Sequence, residues 1–201
     1  MQYYHELVTE KSFKILQDLK RQYKFILIGG WAVFLYTHSL KSKDIDLVID
    51  YDVLEKLREK FILIKNDRLK KYEIVIDEID IDLYLPFYSN PGIPAKEIEK
   101  YTQILEGFTV PKPEVLLVLK QKAYFERLGS PKGEKDKIDI ISLLKSVELD
   151  FGFYKKILKK YGLEDYLDGL RNLLQSVTKI PEIELNQFQY VRLKEKILKQ
   201  L

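Results

Sequence analysis

The sequence predicts an α/β (α+β) fold, in which a mixed β-sheet flanked by helices is followed by a C-terminal helical region. Short apolar or alternating segments typical of strands occur before residue 90, whereas helical periodicity dominates after residue 113. The composition, 46% hydrophobic and 32% charged, is that of a globular chain. We place a boundary near residue 110, which divides the 201 residues into an α/β core, 1–110, and a helical region, 111–201.

In the first half, strand-like and helix-like segments alternate. An amphipathic pattern predicts a helix over 8–21, and an apolar run predicts a buried strand over 25–28 that ends at Gly29-Gly30. We then predict a helix over 31–38, a strand over 44–50 and, after Asp52 as N-cap, a helix over 53–60. Three further strands are predicted over 61–64, 72–76 and 79–85. This order indicates a mixed sheet with helices packed against it.

The second half contains helical patterns separated by glycine and proline. The predicted helices cover 114–127, 135–146, 153–161, 164–177 and 182–201. The Lys/Arg excess of the chain lies in 151–201, although the formal net charge of +3 is too small to indicate nucleic-acid binding by itself. We interpret the lysine pairs 155–156 and 159–160 as a solvated helix face.

Composition excludes several kinds of site. The chain has no cysteine, which rules out disulfides, thiolate metal sites and cysteine nucleophiles. The longest uncharged stretch, residues 25–40, is interrupted by the glycine pair and is short for a membrane span, so we expect a cytoplasmic protein with no membrane partner. Neither His5 nor His38 has the spacing of a metal ligand, and we interpret Trp31 as a core residue.

Two pairs of aspartates carry the chemical signal. Asp44 and Asp46 alternate with apolar residues on a predicted strand, so their side chains share one face. Carboxylates this close repel each other unless a cation lies between them. Asp80 and Asp82 repeat the pattern on a later strand, and we favour Asp82 as the third carboxylate because an apolar run follows it. Such a set suits two Mg²⁺ ions, with Mn²⁺ as an alternative, which bind oxygen ligands and stabilise phosphoryl or nucleotidyl displacement.

The glycine pair predicts a phosphate site. Residues without Cβ atoms let the backbone turn sharply after the strand and approach a polyphosphate, towards which the amides of the next helix point. Either signal alone is weak, because most glycine pairs are simple turns and most Asp-x-Asp strands are solvated. Their order along the chain, with Gly29-Gly30 first, then Asp44 and Asp46, then Asp80 or Asp82, makes a chance combination hard to obtain.

In these elements the sequence resembles the DNA polymerase β-type nucleotidyltransferase superfamily. Its motif corresponds here to 28–32, then 42–47, then Asp80 or Asp82. The resemblance implies a mixed sheet flanked by helices, two Mg²⁺ ions and a nucleoside triphosphate donor. Related sequences often have Arg at the position of Leu40 and Thr at that of Ser42; Lys41 or Lys43 could replace the missing charge.

A second stretch, from Pro113 to Asp139, is similar to the minimal, AbiEii-toxin-like nucleotidyltransferases. It extends the resemblance over roughly 25–145. In that group a helix lysine and a Lys-Asp pair face the nucleotide. The resemblance therefore implies nucleotide-binding roles for a further set of residues, namely Lys120, Arg127, Lys135, Asp136 and Asp139, beside Gly29, Gly30, Ser42 and Lys43. Lys120 and Lys135 would neutralise the leaving pyrophosphate, and Asp136 and Asp139 would orient them.

We therefore expect a Mg²⁺-dependent enzyme that transfers a nucleoside monophosphate to a hydroxyl acceptor, with Asp44, Asp46 and Asp82 as metal ligands and catalytic carboxylates. The acceptor stays open between RNA such as tRNA, a protein and a small molecule, as do the donor base and the oligomeric state. We expect the helical region, 111–201, to complete the nucleotide site, and it could also bind the acceptor; an acceptor-binding patch is the alternative to a solvated face for the lysine pairs 155–156 and 159–160. One alternative is a non-catalytic nucleotide-binding or partner-binding module of a toxin–antitoxin type. Another is a metal-dependent phosphohydrolase that uses the same carboxylates.

Overall fold

The computed structural model describes residues 2–177, 181–183 and 185–201. The first 111 residues contain all seven described strands. Their helices and strands, in chain order, are α1 (Gln2–Gln22), β1 (Ile26–Ile28), α2 (Gly29–Thr37), β2 (Ile45–Val48), α3 (Tyr51–Arg58), β3 (Ile64–Asn66), β4 (Lys71–Ile76), β5 (Ile79–Tyr84), α4 (Ala95–Ile98), β6 (Thr102–Leu105) and β7 (Phe108–Pro111). A 3₁₀ turn, Glu99–Tyr101, separates α4 from β6. The predicted mixed α/β class is confirmed.

Beyond residue 111 the described secondary structure is helical. It comprises α5 (Pro113–Glu126), α6 (Pro131–Ser146), α7 (Phe151–Tyr161), α8 (Asp165–Ser176), a 3₁₀ turn (Pro181–Ile183) and α9 (Gln187–Leu198). Helix α6 begins at its N-cap Ser130, whose hydroxyl accepts a hydrogen bond from the Gly133 amide, and has proline in its first turn. The division into two regions near residue 110 stays a prediction.

Five strands form one mixed sheet in the order β1-β2-β5-β4-β3. Only β2 and β5 run parallel, because the chain between them returns through α3 and the β3–β4 hairpin; the other three pairs are antiparallel. Strands β6 and β7 form a separate two-stranded sheet. The parallel pair lies next to the sheet centre, so its residues have neighbours on both sides.

Each face of the main sheet has a different environment. On one face the alternate residues Ile79, Ile81 and Leu83 of β5 are buried, in a core that includes Leu16 of α1 and Trp31 of α2. Trp31 donates a buried hydrogen bond to the Ser12 hydroxyl, 2.9 Å away, which confirms it as a core residue.

The second core covers the opposite face of the sheet at β1 and β2. Ile28 and Val48 are buried there in a cluster with residues of α5 to α9. Farther along this face, Val75 of β4 and Ile64 of β3 are each 53% exposed. The face is thus covered over β1–β2 and open over β4–β3, and the border between the two parts falls at the β2–β5 pair.

Several predicted boundaries were wrong. The strand expected over 61–64 is β3, Ile64–Asn66, because Phe61 and Leu63 pack into the core from the connection before the ladder begins. The N-cap of α3 is Asp50 rather than Asp52. Helix α4 and the β6–β7 hairpin were not predicted.

The helix predicted over 182–201 was also too long at its start. It begins at Gln187, where Asn186 and Gln189 form a capping box that satisfies the first amides. The start of that prediction falls partly on Glu184, which lies outside the described residues, as does the side chain of His5.

Substitutions on the two faces of the sheet should change the free energy of unfolding by different amounts. Ile81→Ala should lower the free energy of unfolding by about 2–5 kcal/mol, because it leaves a cavity where a fully buried side chain of the central strand packs into the core. Val75→Thr, on the exposed face of the neighbouring strand, should change it by no more than about 0.5 kcal/mol. Urea denaturation followed by circular dichroism measures both, and equal losses would contradict the assignment of faces.

Candidate active site

Asp46 and Asp82 lie side by side on the parallel strands β2 and β5. They are partners in the ladder, so their Cα atoms are about one strand spacing apart, roughly 4.8 Å, and their side chains share a face. Both are half-buried. Asp44, also half-buried, lies one residue before β2, and Asp80 lies two residues before Asp82 and is exposed. The direct neighbour of Asp46 is therefore Asp82 and not Asp80.

Burial and the Asp46 charge alter the ionisation of Asp82. Desolvation is the larger cause and the neighbouring carboxylate the second, and together they raise the pKa of Asp82 to about 6. Lys71 of β4 opposes this, since its Nζ lies 2.5 Å from Asp82 Oδ2. Burial lowers the pKa of Lys71, but its ion pairs with Asp82 and Glu73 outweigh burial and raise it above its ordinary value.

Gly29 fits directly against the Asp46 carboxylate. Its φ of +67° is in the left-handed region that other residues rarely adopt, and a Cβ added there would lie 2.0 Å from Asp46 Oδ2. Gly30 is similarly close to two polar groups, because its added Cβ would lie 2.7 Å from Ser42 Oγ and 3.3 Å from Lys135 Nζ. The glycine pair therefore brings the start of α2 against Asp46 and Ser42, and a side chain at position 29 would displace the Asp46 carboxylate.

Lys135 extends from α6 towards this glycine turn. Its Nζ donates a 3.0 Å hydrogen bond to the hydroxyl of Ser42, which is buried. Burial lowers the pKa of Lys135, although the Asp139, Asp46 and Asp44 charges act in the opposite direction. An ammonium and a hydroxyl thus lie beside the amides of α2, a combination suited to phosphate oxygens.

Lys120 has a different environment from Lys135. It is buried on α5, with Nζ 3.0 Å from Asp136 Oδ1 and 2.7 Å from Asp139 Oδ2, and both carboxylates belong to α6. Burial lowers its pKa, but the two aspartates outweigh that effect and raise it. Arg127 Nη1 lies 3.4 Å from Asp136 Oδ2, so Lys120 and Arg127 both contact Asp136. This cluster joins α5 to α6.

The remaining predicted residues are less closely held. Lys43 is exposed, as is Lys41. The cation near Asp44 is instead Lys132 of α6, whose Nζ lies 3.3 Å from Asp44 Oδ2 at an exposed position. The structure therefore brings Gly29, Gly30, Ser42, Asp46, Asp82 and Lys135 into contact with one another or with shared neighbours, and leaves Lys43 and Asp80 at the surface.

The carboxylates suit a hard divalent cation. Asp46 and Asp82 offer only oxygen donors, and Mg²⁺ takes one or two protein carboxylates while water and substrate complete its coordination. Within the described ranges, no three acidic or histidine side chains already converge as a ligand cluster. Lys71 and Lys132 form ion pairs with Asp82 and Asp44, respectively.

Sequence reasoning missed four residues of the site. Lys71, Glu73 and Lys132 were not considered, and Tyr84 was assigned only to an apolar run, although its hydroxyl donates a 3.5 Å hydrogen bond to Asp46 Oδ1. The alternation of Lys71 and Glu73 in β4 was a usable signal. That alternation shows only that the two side chains share a face of β4. Their assignment to the site also requires the antiparallel register of β4 with β5, which places Glu73 opposite Asp82.

No protein-family model and no curated protein matches the chain. Solved structures do match. A protein of Helicobacter pylori described as a candidate nucleotidyltransferase aligns over 97% of this chain and 95% of its own, with a TM-score of 0.54 and 19% identity. The antibiotic-resistance factor ANT(2'')-Ia aligns over 84% of this chain and 97% of its own, with a TM-score of 0.55 and 13% identity. The chain therefore has a nucleotidyltransferase-like fold; the AbiEii-like subfamily stays a prediction.

The contact between Gly29 and Asp46 can be measured against a second glycine. Gly29→Ala and Gly162→Ala both place a Cβ at a positive φ, of +67° and +65°, but nothing lies within 4 Å of the added atom at Gly162. The shared backbone strain costs about 1–2 kcal/mol. We expect Gly29→Ala to lower the free energy of unfolding by at least about 1 kcal/mol more, because Asp46 must move. Equal losses would show that the turn does not touch the carboxylate.

Removal of the Lys120 ammonium should destabilise the helical region. Lys120→Met leaves the buried Asp139 without its ion-pair partner and Asp136 with only the longer contact to Arg127, so we expect a loss of about 3–5 kcal/mol in unfolding free energy. Lys122→Met, which breaks an exposed pair with Glu126 on the same helix, should cost less than about 1 kcal/mol. Thermal unfolding of the two variants in parallel makes the comparison, and a similar shift in both would contradict the buried-cluster role.

Proposed function

We propose that the chain is a Mg²⁺-dependent nucleotidyltransferase that moves a nucleoside monophosphate from a nucleoside triphosphate to a hydroxyl acceptor. The contact that carries the proposal is the close approach of Gly29 to the Asp46 carboxylate, which puts a side-chain-free helix start beside paired carboxylates. The fold shared with ANT(2'')-Ia and the H. pylori protein supports it. Keeping a phosphate cradle and a carboxylate pair in contact suits phosphorus chemistry.

The residues divide into two groups with different tasks. The amides at the start of α2, the Ser42 hydroxyl and the Lys135 ammonium bind the outer phosphates. Asp44, Asp46 and Asp82 hold Mg²⁺, which stabilises charge on the reacting phosphoryl oxygens when bound. Lys120 and Asp139 keep α5 and α6 in place, so that Lys135 is aimed at Ser42.

The proposed reaction is a single displacement at the α-phosphorus. The acceptor oxygen forms a bond to that phosphorus, the bond to the bridging oxygen of the β-phosphate breaks, and pyrophosphate leaves. The proton of the acceptor hydroxyl passes to the Asp82 carboxylate. Charge that develops on the pyrophosphate is stabilised by Lys135 and by the α2 amides. Tyr84 donates a hydrogen bond to the Asp46 carboxylate and so keeps that carboxylate oriented.

The two alternatives use the same residues and differ in their products. A metal-dependent phosphohydrolase releases phosphate without any acceptor. A non-catalytic nucleotide-binding module of a toxin–antitoxin pair binds a triphosphate regardless of Mg²⁺. Leu40, which stands where related sequences have arginine, favours the second alternative, whereas the contact between Gly29 and Asp46 favours catalysis.

Incubation with each α-³²P-labelled nucleoside triphosphate, Mg²⁺ and separate pools of RNA, protein and small hydroxyl compounds tests the proposal. We expect label to move to one class of acceptor, and Asp44→Ala/Asp46→Ala to lower the rate at least about 100-fold. Asp82→Asn should have a comparable effect, while Asp80→Asn, a matched change on the same strand, should keep most of the activity.

Three results would contradict parts of this proposal. Transfer that persists in the double variant would exclude Asp44 and Asp46 as its catalytic groups. Release of phosphate at the same rate with and without acceptor would support the phosphohydrolase instead. Calorimetric binding of a triphosphate with equal affinity in Mg²⁺ and in chelator, without turnover, would support the binding module.

A further inference from the structure

Three carboxylates form one row along the sheet, from the covered strand β2 to the open strand β4. Asp46 of β2 is the ladder partner of Asp82 on β5, and Asp82 is in turn the partner of Glu73 on β4. Adjacent partners in a sheet project to the same face, so three negative charges follow one another at strand spacing. Like charges placed directly opposite each other destabilise a sheet, and this row requires a compensating cation.

Lys71 supplies that cation from within β4. Its Nζ lies 2.5 Å from Asp82 Oδ2 and 3.0 Å from Glu73 Oε1, and its side chain is only 12% exposed. The contact with Asp82 connects two strands, whereas the contact with Glu73 lies within β4, two residues along the same face. Lys71 therefore has one partner that belongs to the carboxylate pair and one that does not.

Glu73 is held independently of Lys71. Asn66 of β3 donates a 2.9 Å hydrogen bond to Glu73 Oε1 through its side-chain amide. This hydrogen bond crosses from β3 to β4 and does not involve Lys71, so it anchors the Glu73 carboxylate from the side away from Asp82. A charged, anchored carboxylate can retain Lys71 when the Asp82 contact is lost.

We propose that Lys71 is the built-in counter-ion of Asp82, which competes with a divalent cation for that carboxylate and moves onto Glu73 when the cation binds. A dication on Asp82 and an ammonium 2.5 Å from the same carboxylate would repel each other strongly in a half-buried site. Entry of the cation therefore breaks the Lys71–Asp82 pair. The inference deepens the proposed function, on which it rests for the role of Asp82 as a metal ligand.

The consequence is an ordered assembly of the site. The free protein binds divalent cations weakly, because each cation must displace an ammonium that already neutralises Asp82. The phosphates of an incoming nucleotide supply further negative oxygen ligands. They raise the affinity of the site for the cation, which then displaces Lys71 from Asp82. Lys71 is thus a positioning residue that links metal occupancy to the arrival of substrate.

Mn²⁺ binding to the nucleotide-free protein, followed by electron paramagnetic resonance of the free ion, tests this without catalysis. Lys71→Met should bind Mn²⁺ on the order of tenfold more tightly than the unaltered protein, since the competitor is gone. Lys71→Arg, which keeps the charge, should stay close to the unaltered affinity. Lys65→Met is the matched control, because it removes the same charge from the adjacent strand on the opposite face and should leave the affinity unchanged.

Glu73→Gln tests the second half of the exchange. Without its alternative partner Lys71 stays on Asp82, so Mn²⁺ should bind several-fold more weakly than to the unaltered protein. In the double variant Lys71→Met/Glu73→Gln that effect should disappear. If it persists there, Glu73 acts on the metal through its own charge and the exchange is wrong.

Equal Mn²⁺ affinity in folded Lys71→Met and in the unaltered protein would overturn the proposal. Circular dichroism establishes that each variant is folded, and Lys71→Gln, which also removes the charge but keeps a polar group beside Asp82 and Glu73, replaces Lys71→Met with the same expected result if that variant is not. The transfer assay is separate from these titrations. Absence of nucleotidyl transfer with the Mn²⁺ differences intact would contradict the proposed function alone, and transfer without those differences would contradict only the role of Lys71.

Discussion

The parallel pairing of β2 with β5 is the constraint on which the rest of the site depends. It places Asp46 directly beside Asp82 in a half-buried part of the sheet, where two like charges cannot stay uncompensated. The raised pKa of Asp82 reflects that conflict, and the ion pair with Lys71 relieves it in the free protein. Under the proposed function a divalent cation would relieve it better than an ammonium, because it would carry twice the charge and bind both carboxylates. The surrounding residues are best understood as consequences of this pairing.

Close approach of the backbone is the second requirement, and it explains why a glycine pair precedes the carboxylates. A phosphate bound by the α2 amides must lie next to Asp46, and any Cβ at position 29 would occupy the same volume as that carboxylate. On the other side of the glycine turn, the packing of the helical region fixes the position of Lys135. The buried contacts of Lys120 with Asp136 and Asp139 fix α5 against α6, and α6 then directs Lys135 to Ser42. Two lysines to which the resemblance gave the same role thus have different environments, since Lys120 is buried between two carboxylates and Lys135 faces the glycine turn.

Much of this arrangement could be predicted from the sequence, and the failures share one physical cause. The alternation around Asp46 and Asp82 and the breaker Gly29-Gly30 are local signals, so the main strands and the order of the site elements followed from them. The β6–β7 hairpin was missed because its strands are only four residues long and β6 has no buried residue, so the Glu106-Gly107 turn, at positive φ in both residues, is its main local mark. Lys71 could not be assigned, because its role depends on the register of β4 with β5, a pairing between distant residues that no local pattern encodes.

The position of the carboxylate pair within the sheet also bears on how two substrates could meet there. In an in-line displacement the attacking and leaving oxygens lie on opposite sides of the phosphorus. Gly29, Gly30 and Lys135 lie on the β1 side of Asp46, where α5 and α6 cover the sheet, and this suits the departing pyrophosphate. The opposite side, beyond Asp82, is the open face of β4 and β3 with exposed Val75 and Ile64. We therefore expect the acceptor hydroxyl to approach over that open face, past Lys71. The lysine that compensates the charge of Asp82 would then be the first charged group that the acceptor contacts.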